Sequence, residues 1–347
     1  MSTFLEIKNL TKSFDGEVVL DSVDIELNDN ELLVVLGPTG AGKTTFLRTL
    51  TGLESPDSGQ IILAGEDITN WPPAQRDFSL VFQNFSLYPN WTVYDNMSFP
   101  LKAPGRNMAK SEIDEKVRWA AELLDISRLL DRKATQLSGG EMQRVAIGRC
   151  IVRTPRVFLM DEPLTNLDAK LRESLRVELV ALQRKLGTPM IYVTHDQAEA
   201  LSMGDRIVVL SEGKVLQTGL PTEVYQNPVN TIVARQLGHP QINLLDADYK
   251  EGAWITASGD KIANASENQS ESGVLGIRPE DIAVDGGEHE GTITVVEDMG
   301  PHLILLVDWL GYHIHITCGK EGSIHKPQDK IFPKINDNKI LYFPERS

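Results

Sequence analysis

A glycine-rich loop between an apolar strand and a helix constrains this chain more than any other feature of its sequence. The segment Gly37-Pro-Thr-Gly-Ala-Gly-Lys43-Thr44 fits the pattern GxxxxGK[ST] and follows the apolar run 32–36. Glycines allow the backbone to curl so that successive N–H groups point at phosphate oxygens, and the dipole of the following helix adds to the attraction. The loop therefore predicts a P-loop nucleotide-binding fold.

The positions of this loop have expected roles toward a nucleotide such as ATP. The Lys43 ammonium would lie on the β- and γ-phosphates, and the Thr44 hydroxyl would bind Mg²⁺. The other positions expected to line the phosphates are Gly37, Pro38, Thr39, Gly40, Ala41, Gly42 and Thr45. By itself the loop predicts nucleotide binding and specifies no reaction.

Two carboxylates end a second apolar strand, VFLMDE at 157–162. Ligands of open α/β sheets bind at the carboxyl ends of the strands, so these side chains are expected near the nucleotide. Asp161 would hold Mg²⁺ through a water, and Glu162 would orient or deprotonate the attacking water. An ordinary acidic cap after a strand is the alternative, but the P-loop and the following Pro163 favour the catalytic role.

A second glycine-containing turn, Ser138-Gly139-Gly140, precedes another predicted helix. It would form a second anion-binding helix N-terminus, although one nucleotide does not need two such sites in one subunit. Two copies arranged head to tail would use both, with each phosphate chain between a P-loop and the partner's turn. Considered alone, the turn is also typical of a simple N-cap.

The segment LSGGE-MQR at 137–144, between a P-loop and a strand ending in Asp-Glu, resembles the signature of ATP-binding-cassette (ABC) ATPases. The resemblance extends from residue 3 to about residue 235. It implies that Phe14 stacks on adenine and that Gln83 reaches Mg²⁺ and the water. It also implies that Asp168 lies at the subunit interface and that His195 faces the γ-phosphate.

Simpler interpretations of these residues remain open. Phe14 could be a core residue, Gln83 a surface amide, and His195 a hydrogen-bonded histidine at the end of a strand. The sequence also departs from the commonest family pattern, with Glu141 in place of Gln and Phe14 in place of Tyr. The first difference removes an amide, and the second keeps the stacking face and loses a hydroxyl.

The residue pattern changes near residue 235. Before it, strand-like runs (32–37, 157–162, 190–195) alternate with helical segments (110–124, 140–152, 169–186), as in an α/β domain. After it, short apolar segments at 274–279, 291–298, 302–311 and 313–318 lie between turn residues. The pattern predicts an α/β domain at 1–235, followed at 236–347 by a small all-β, OB-like barrel. The resemblance implies that the first is a P-loop ABC ATPase domain with a helical subdomain and that the second has a regulatory and dimerisation role.

The C-terminal segment Leu275-Gly-Ile-Arg278-Pro279-Glu280 resembles a motif in the β domains of importer ATPases that energise carbohydrate uptake. A strand that enters a turn is the alternative explanation. The segments 72–101 and 194–210 also resemble the maltose and glycerol-phosphate transport ATPases. The resemblance implies an ATP- and Mg²⁺-dependent subunit of a bacterial importer for a carbohydrate, polyol or related solute. It would work as a dimer beneath two permease subunits, supplied by an extracytoplasmic solute-binding protein, at the cytoplasmic face of the inner membrane.

A soluble ABC ATPase that acts on nucleic acid or ribosomes is the alternative function. With 34 basic and 49 acidic residues the chain has a formal net charge of −15. A nucleic-acid-binding surface needs clustered Lys and Arg, so no nucleic-acid partner is expected. The chain also has one cassette and no heptad run, whereas such soluble proteins usually have two cassettes or a coiled-coil insertion.

Overall fold

The structure is a computed structural model that describes residues 3–265, 271–320 and 325–344. The chain divides into two units, Met1–Thr222 and Glu223–Ser347. The sequence pattern placed the division after residue 235. In the structure it falls earlier, and the short helical segment up to residue 236 is grouped with the β-rich unit.

The first unit is an α/β domain. Its strands are β1 (Thr3–Phe14), β2 (Glu17–Asn28), β3 (Leu32–Leu36), β4 (Ser58–Leu63), β5 (Glu66–Asp67), β6 (Phe78–Val81), β7 (Val157–Asp161), β8 (Met190–Thr194), β9 (Arg206–Ser211) and β10 (Lys214–Gly219). Its helices are α1 (Lys43–Thr51), α2 (Pro73–Arg76), α3 (Val93–Ser98), α4 (Lys110–Leu123), α5 (Gly139–Ile151), α6 (Ala169–Leu186) and α7 (Gln197–Met203). The three predicted helices correspond to α4, α5 and α6, with ends that differ by one residue at most.

A six-stranded sheet with the order β10-β9-β3-β8-β7-β6 forms the centre of this unit. Strands β9, β3, β8, β7 and β6 are parallel, and every residue of β3, β7 and β8 is buried. Such continuous apolar strands are typical of a parallel sheet that is covered on both faces. Because the strands are parallel, the P-loop, the segment after β7 and the segment after β8 all lie at one edge.

A second, antiparallel sheet with the order β2-β1-β4-β5 shares a core with the first sheet. Leu20 of β2 and Leu5 of β1 pack in one buried cluster with Phe46 of α1 and Val35 of β3. This packing fixes the helix that follows the P-loop against both sheets. The segment between β6 and β7 contains α3, α4 and α5 and forms the predicted helical subdomain.

The second unit consists mostly of antiparallel strands. They are β11 (Asn243–Lys250), β12 (Ala253–Ile255), β13 (Lys261–Asn264), β14 (Gly273–Ile277), β15 (Ile282–Ala283), β16 (Gly291–Asp298), β17 (His302–Trp309), β18 (Tyr312–Gly319), β19 (Lys330–Ile331), β20 (Lys334–Ile335) and β21 (Leu341–Phe343). Helix α8 (Pro221–Gln226) begins at the division between the units, and α9 (Thr231–Gln236) follows it.

These strands form sheets with the orders β13-β12-β11-β14-β21, β18-β17-β16-β19 and β15-β20. Side chains from all three sheets meet in a single core around Trp254, which is fully buried and stacks on Tyr342 at a centroid distance of 5.3 Å. A core shared by curved antiparallel sheets is the arrangement of a small barrel. The all-β, OB-like domain predicted from the sequence is confirmed.

Arg278, in the Gly-Ile-Arg-Pro motif, connects the helical segment of this unit to β14. Its buried guanidinium donates hydrogen bonds to the carbonyl oxygens of Tyr225 (2.8 Å), Ala234 (3.3 Å) and Leu237. The guanidinium carbon lies 4.0 Å from the centroid of the Tyr225 ring. Burial lowers the pKa of Arg278 and, together with the hydrogen bond to Glu280, raises the pKa of Tyr225 to about 12. These contacts explain why residues 225–237 are grouped with the β-rich unit.

Replacing Arg278 with Ala should destabilise the second unit by about 3 kcal/mol, because two buried carbonyl oxygens and one that is partly buried would lose their donor. Arg278→Lys should recover only part of this loss, since one ammonium cannot reproduce the planar fork of donors. Urea unfolding of the full chain measures the effect. Arg235→Ala, at an exposed position of α9, is the matched control and should stay within about 0.5 kcal/mol of the wild type. An unchanged unfolding curve for Arg278→Ala would contradict this role.

Candidate active site

The P-loop between β3 and α1 has the backbone conformation that a phosphate cradle requires. Gly40 and Gly42 have φ angles of 84° and 97°, in the left-handed region that glycine adopts without steric cost. A Cβ atom on Gly42 would lie 2.7 Å from the carbonyl oxygen of Val19. A side chain at this position would therefore push the loop away from β2.

Lys43 is 5 % exposed, and its ammonium is held by three oxygens. Nζ donates to the carbonyl oxygens of Gly37 and Pro38, each at 2.9 Å, and lies 3.2 Å from Oε1 of Glu162. A buried cation needs such partners because water cannot solvate it. The same ammonium is thus within reach of the loop and of the predicted catalytic carboxylate.

Thr44 and Asp161, two of the three predicted Mg²⁺ ligands, are brought together. Thr44 Oγ1 donates to Asp161 Oδ1 at 3.3 Å. Burial raises the pKa of Asp161, while the hydrogen bond from Thr44 opposes this effect. A bound cation would favour the ionised carboxylate. A hydroxyl and a carboxylate fit Mg²⁺, which commonly takes one or two protein oxygens and completes its shell with substrate phosphates and water.

Within the residues that the structure describes, no group of three or more His, Cys, Asp or Glu side chains is arranged to hold a metal ion. Gln83, the third predicted ligand, is exposed, and no described hydrogen bond joins its side chain to Thr44 or Asp161. The backbone carbonyl oxygen of Gln83 accepts a hydrogen bond of 3.0 Å from Asn166 Nδ2. The backbone at Gln83 is therefore linked to the segment that follows Glu162.

The Glu162 carboxylate contacts Lys43 and His195, two other predicted catalytic residues at this edge of the sheet. Its Oε1 faces Lys43, and its Oε2 lies 2.8 Å from His195 Nδ1. The Glu162 backbone has a φ of 44°, a left-handed conformation that is uncommon for a residue with a side chain. Its N–H donates to the Val193 carbonyl at 3.0 Å, so β8 holds the strained residue in place. Such strain is typical of functional sites.

Two polar residues at this site were not singled out from the sequence. Thr165 Oγ1 donates to Glu162 Oε2 at 3.4 Å, and Asn166 bonds to Gln83 as described above. Both lie in the LTNLDA segment, where their position directly after the Asp-Glu pair is the signal that could have identified them. They connect the carboxylate to its surroundings.

The Ser138–Gly140 turn lies at the N-terminus of α5, as predicted. Ser138 Oγ accepts from the Glu141 N–H at 3.4 Å, and Glu141 Oε2 accepts from the Ser138 N–H at 3.0 Å, which together form a capping box. The Ser138 N–H is the largest cause that lowers the pKa of Glu141, and Arg128 lies 3.2 Å away. Glu141 thus stabilises the turn, a role that Gln also supports.

Five predicted site residues, Ser138, Gly139, Gly140, Asp168 and Phe14, lie apart from the Lys43–Glu162–His195 cluster in their described contacts. No hydrogen bond or ion pair of the described residues joins residues 138–140 to the P-loop. Asp168 caps α6 by accepting from the Leu171 N–H at 3.0 Å. Phe14, at the end of β1, is 40 % exposed, and Lys12 Nζ lies 5.0 Å from its ring centroid. Its exposed face is available for stacking.

Comparison with known proteins identifies the family. Residues 20–165 match the family described as ABC transporter. The chain is 41 % identical, over 98 % of its length and 97 % of the relative's, to the sn-glycerol-3-phosphate import ATP-binding protein UgpC of Ruegeria pomeroyi. It is 42 % identical to the alpha-glucoside transport ATP-binding protein AglK of Rhizobium meliloti, with 89 % and 88 % covered. The chain belongs to the ABC transporter family.

Solved ABC structures agree with this assignment. One is a dimeric ATP-binding cassette in a post-hydrolysis state with ADP and Pi, which matches this chain with a TM-score of 0.56 and 30 % sequence identity. The match covers 62 % of this chain and 98 % of the cassette. The ADP conformation of another ABC transporter cassette has a TM-score of 0.60 and 28 % identity, with 66 % and 96 % covered. The chain is therefore an ABC ATPase with a nucleotide-binding P-loop domain and an additional all-β domain.

Proposed function

We propose that this ABC ATPase hydrolyses Mg²⁺-bound ATP to energise uptake of a carbohydrate, polyol or related solute through two permease subunits. The observation that carries the proposal is the position of Glu162, whose two carboxylate oxygens lie 3.2 Å from Lys43 Nζ and 2.8 Å from His195 Nδ1. A base beside the phosphate-binding lysine is placed to act on a water that attacks the γ-phosphate. The names of the curated relatives support import and the solute class.

Each residue of the site has a separate role in hydrolysis. Lys43 and the P-loop N–H groups hold the β- and γ-phosphates and stabilise the charge that develops during in-line attack. Thr44 and Asp161 would hold Mg²⁺, which neutralises phosphate charge when bound, and Gln83 would approach it. Glu162 accepts the proton of the attacking water, and His195 orients Glu162 and faces the γ-phosphate.

We also propose that the site is completed by a second copy of the chain in a head-to-tail dimer. The Ser138–Gly140 turn presents helix N–H groups, yet its described hydrogen bonds do not reach the P-loop of its own chain. In the dimer it would contact the partner's γ-phosphate, Asp168 would lie at the interface, and Phe14 would stack on adenine. In this proposal the first unit is the nucleotide-binding domain, and the second unit is the regulatory and dimerisation domain.

An exposed aromatic cluster supports a permease contact. Tyr88 and Trp91 stack at a centroid distance of 4.4 Å, and the Phe99 ring lies 5.2 and 5.4 Å from them. Tyr88 and Phe99 line a groove of about 610 Å³ together with Arg149, which donates to the carbonyl oxygens of Phe85 (2.8 Å) and Ser86. The groove is lined by Phe82 and Ser86, which lie in the same segment as Gln83. A permease helix docked in the groove would therefore contact the segment that carries Gln83 and so affect the nucleotide site.

Tyr88→Asp and Trp91→Asp should each weaken co-purification with the permease by about tenfold or more, because a charge would be buried among aromatic anchors. The ATPase rate of the isolated chain should remain close to that of the wild type. Trp119→Asp changes another exposed aromatic residue, on α4, and is the matched control that should not affect assembly. Undiminished co-purification of both variants would remove this surface from the interface.

None of the helices in the described residues is long and apolar enough to cross a membrane. We propose that the chain works at the cytoplasmic face of the inner membrane, bound to the permease subunits. Uptake of labelled sn-glycerol 3-phosphate or an α-glucoside into proteoliposomes that contain permease, binding protein and this chain tests the transport proposal. ATP turnover without uptake of either solute would exclude the two solutes that the names of the relatives suggest.

A further inference from the structure

A carboxylate that the proposed mechanism does not use is buried next to the active site. Glu199 of α7 is 3 % exposed, and its Oε2 accepts hydrogen bonds from Thr194 Oγ1 at 2.5 Å and from Tyr192 Oη at 3.0 Å. Burial raises the pKa of Glu199, and the two hydroxyl donors oppose that effect. Removing a carboxylate from water is costly, and the two hydroxyl donors replace part of the solvation that the Glu199 carboxylate loses on burial.

The contacts of Glu199 close a ring of hydrogen bonds around the turn that contains His195. Thr194 Oγ1, which donates to Glu199, also accepts from the Asp196 N–H at 2.9 Å. Asp196 Oδ1 in turn accepts from the N–H groups of Ala198 (2.7 Å) and Glu199 (3.2 Å) at the start of α7. The side chains of residues 194, 196 and 199 therefore fix the backbone on both sides of His195.

The end of β8 that this ring fixes is also bonded to the other parts of the active site. The Thr194 carbonyl accepts from the first N–H of the P-loop, that of Gly37, at 3.2 Å, and the Val193 carbonyl accepts from Glu162. The His195 side chain itself is 43 % exposed. With so much of its surface in solvent, the position of the imidazole depends on the backbone that carries it.

We propose that Glu199 is a positioning residue for ATP hydrolysis, which through Thr194 Oγ1 and the Asp196 N–H holds His195 against Glu162. The inference rests on the proposed function, in which Glu162 acts on the attacking water. Tyr192 forms the second hydrogen bond to the carboxylate but has no described bond to the 194–196 turn. Its hydroxyl is therefore secondary to the positioning of His195.

The test is single-turnover hydrolysis of labelled ATP by the full-length chain. Glu199→Gln should lower the hydrolysis rate by about tenfold to a hundredfold, as expected for a small displacement of a catalytic group. The apparent affinity for ATP should change by less than about twofold, because the P-loop groups that bind phosphate remain in place. Tyr192→Phe is the matched control and should change the rate by about twofold at most, since Thr194 keeps its acceptor.

A second pair of variants tests the same hydrogen bond from its other end. Thr194→Val keeps the shape of the side chain and removes the hydroxyl, so it should reproduce the loss of rate. Thr194→Ser restores the hydroxyl and should recover most of the activity. This pair decides the question if Glu199→Gln does not fold, as judged by circular dichroism and thermal unfolding.

The double variant separates positioning of His195 from a general structural effect. If Glu199 acts through His195, adding Glu199→Gln to His195→Ala should lower the residual rate by less than about twofold, because coupled residues are not additive. The same loss in both backgrounds, or a Glu199→Gln chain as active as the wild type, would overturn the proposal. If Glu199→Gln and Glu162→Gln both left turnover unchanged, the proposed function would fail. If Glu162→Gln lost turnover and Glu199→Gln did not, only the role of Glu199 would be refuted.

Discussion

Replacing Glu162 with Gln is expected to lower ATP turnover by about a hundredfold or more while ATP binding is preserved. The amide cannot accept a proton from the attacking water, whereas Lys43 keeps its position in the P-loop through the carbonyl oxygens of Gly37 and Pro38. Bound ATP should then persist and hold two chains together. Phosphate release measures the turnover, a fluorescent nucleotide measures the affinity, and size-exclusion chromatography with ATP detects the dimer.

Glu212 provides a matched control for this substitution. It is an exposed glutamate in the turn between β9 and β10, and its φ of 48° is close to the 44° of Glu162. Glu212→Gln should therefore repeat the chemical change and the backbone setting without affecting hydrolysis. Turnover of Glu162→Gln near the wild-type rate would mean that another group acts on the water.

Ser138→Arg and Gly140→Asp are each expected to abolish dimer closure and to reduce hydrolysis by about a hundredfold or more, because the partner's γ-phosphate would lose an anion-stabilising turn. A Cβ atom on Gly140 would lie 2.9 Å from Leu171 Cδ2, and an aspartate would also bring a negative charge to the turn. Nucleotide affinity of the isolated chain should change little, because the described hydrogen bonds of this turn do not reach the P-loop.

Dimer closure can be measured separately from hydrolysis by combining each substitution with Glu162→Gln and repeating the chromatography with ATP. Glu141→Gln is the control within the same turn: Gln at this position can still form the capping box, so activity should remain within about threefold of the wild type. A Ser138→Arg chain that stays monomeric and hydrolyses ATP at the wild-type rate would contradict the composite site.

The sequence predicted the parts of the fold that are determined locally. The apolar strands β3, β7 and β8 each end at or next to a glycine or a polar residue, and the segments 110–124, 140–152 and 169–186 have a helical pattern, so the positions of these elements followed from pattern alone. An N-cap at Ser138 was expected from the sequence, but the return hydrogen bond from the Ser138 N–H to Glu141, which completes a capping box, was not. The capping box gives Glu141 a structural role that the commoner Gln would also support.

Contacts between residues distant in sequence could not be predicted in the same way. The approach of Glu162 to Lys43 and His195 depends on the order of three parallel strands and on a left-handed backbone at Glu162. Arg278 binds carbonyl oxygens forty or more residues away, which places the segment 225–237 with the β-rich unit. Glu199 is one acid among many in the sequence, and only burial distinguishes it.

The composite site is tested most directly by asking which chain ATP touches. One chain carries Lys43→Ala, which prevents nucleotide from occupying its own P-loop, and is identified by a mass tag. The other chain carries Ser138→Arg. In their mixed dimer, one site combines an intact P-loop with an intact turn. ATP with a photoreactive group on the γ-phosphate should label the Ser138 segment of the tagged Lys43→Ala chain. Labelling confined to the Ser138→Arg chain, whose P-loop holds the nucleotide, would contradict the head-to-tail dimer and the transport mechanism built on it.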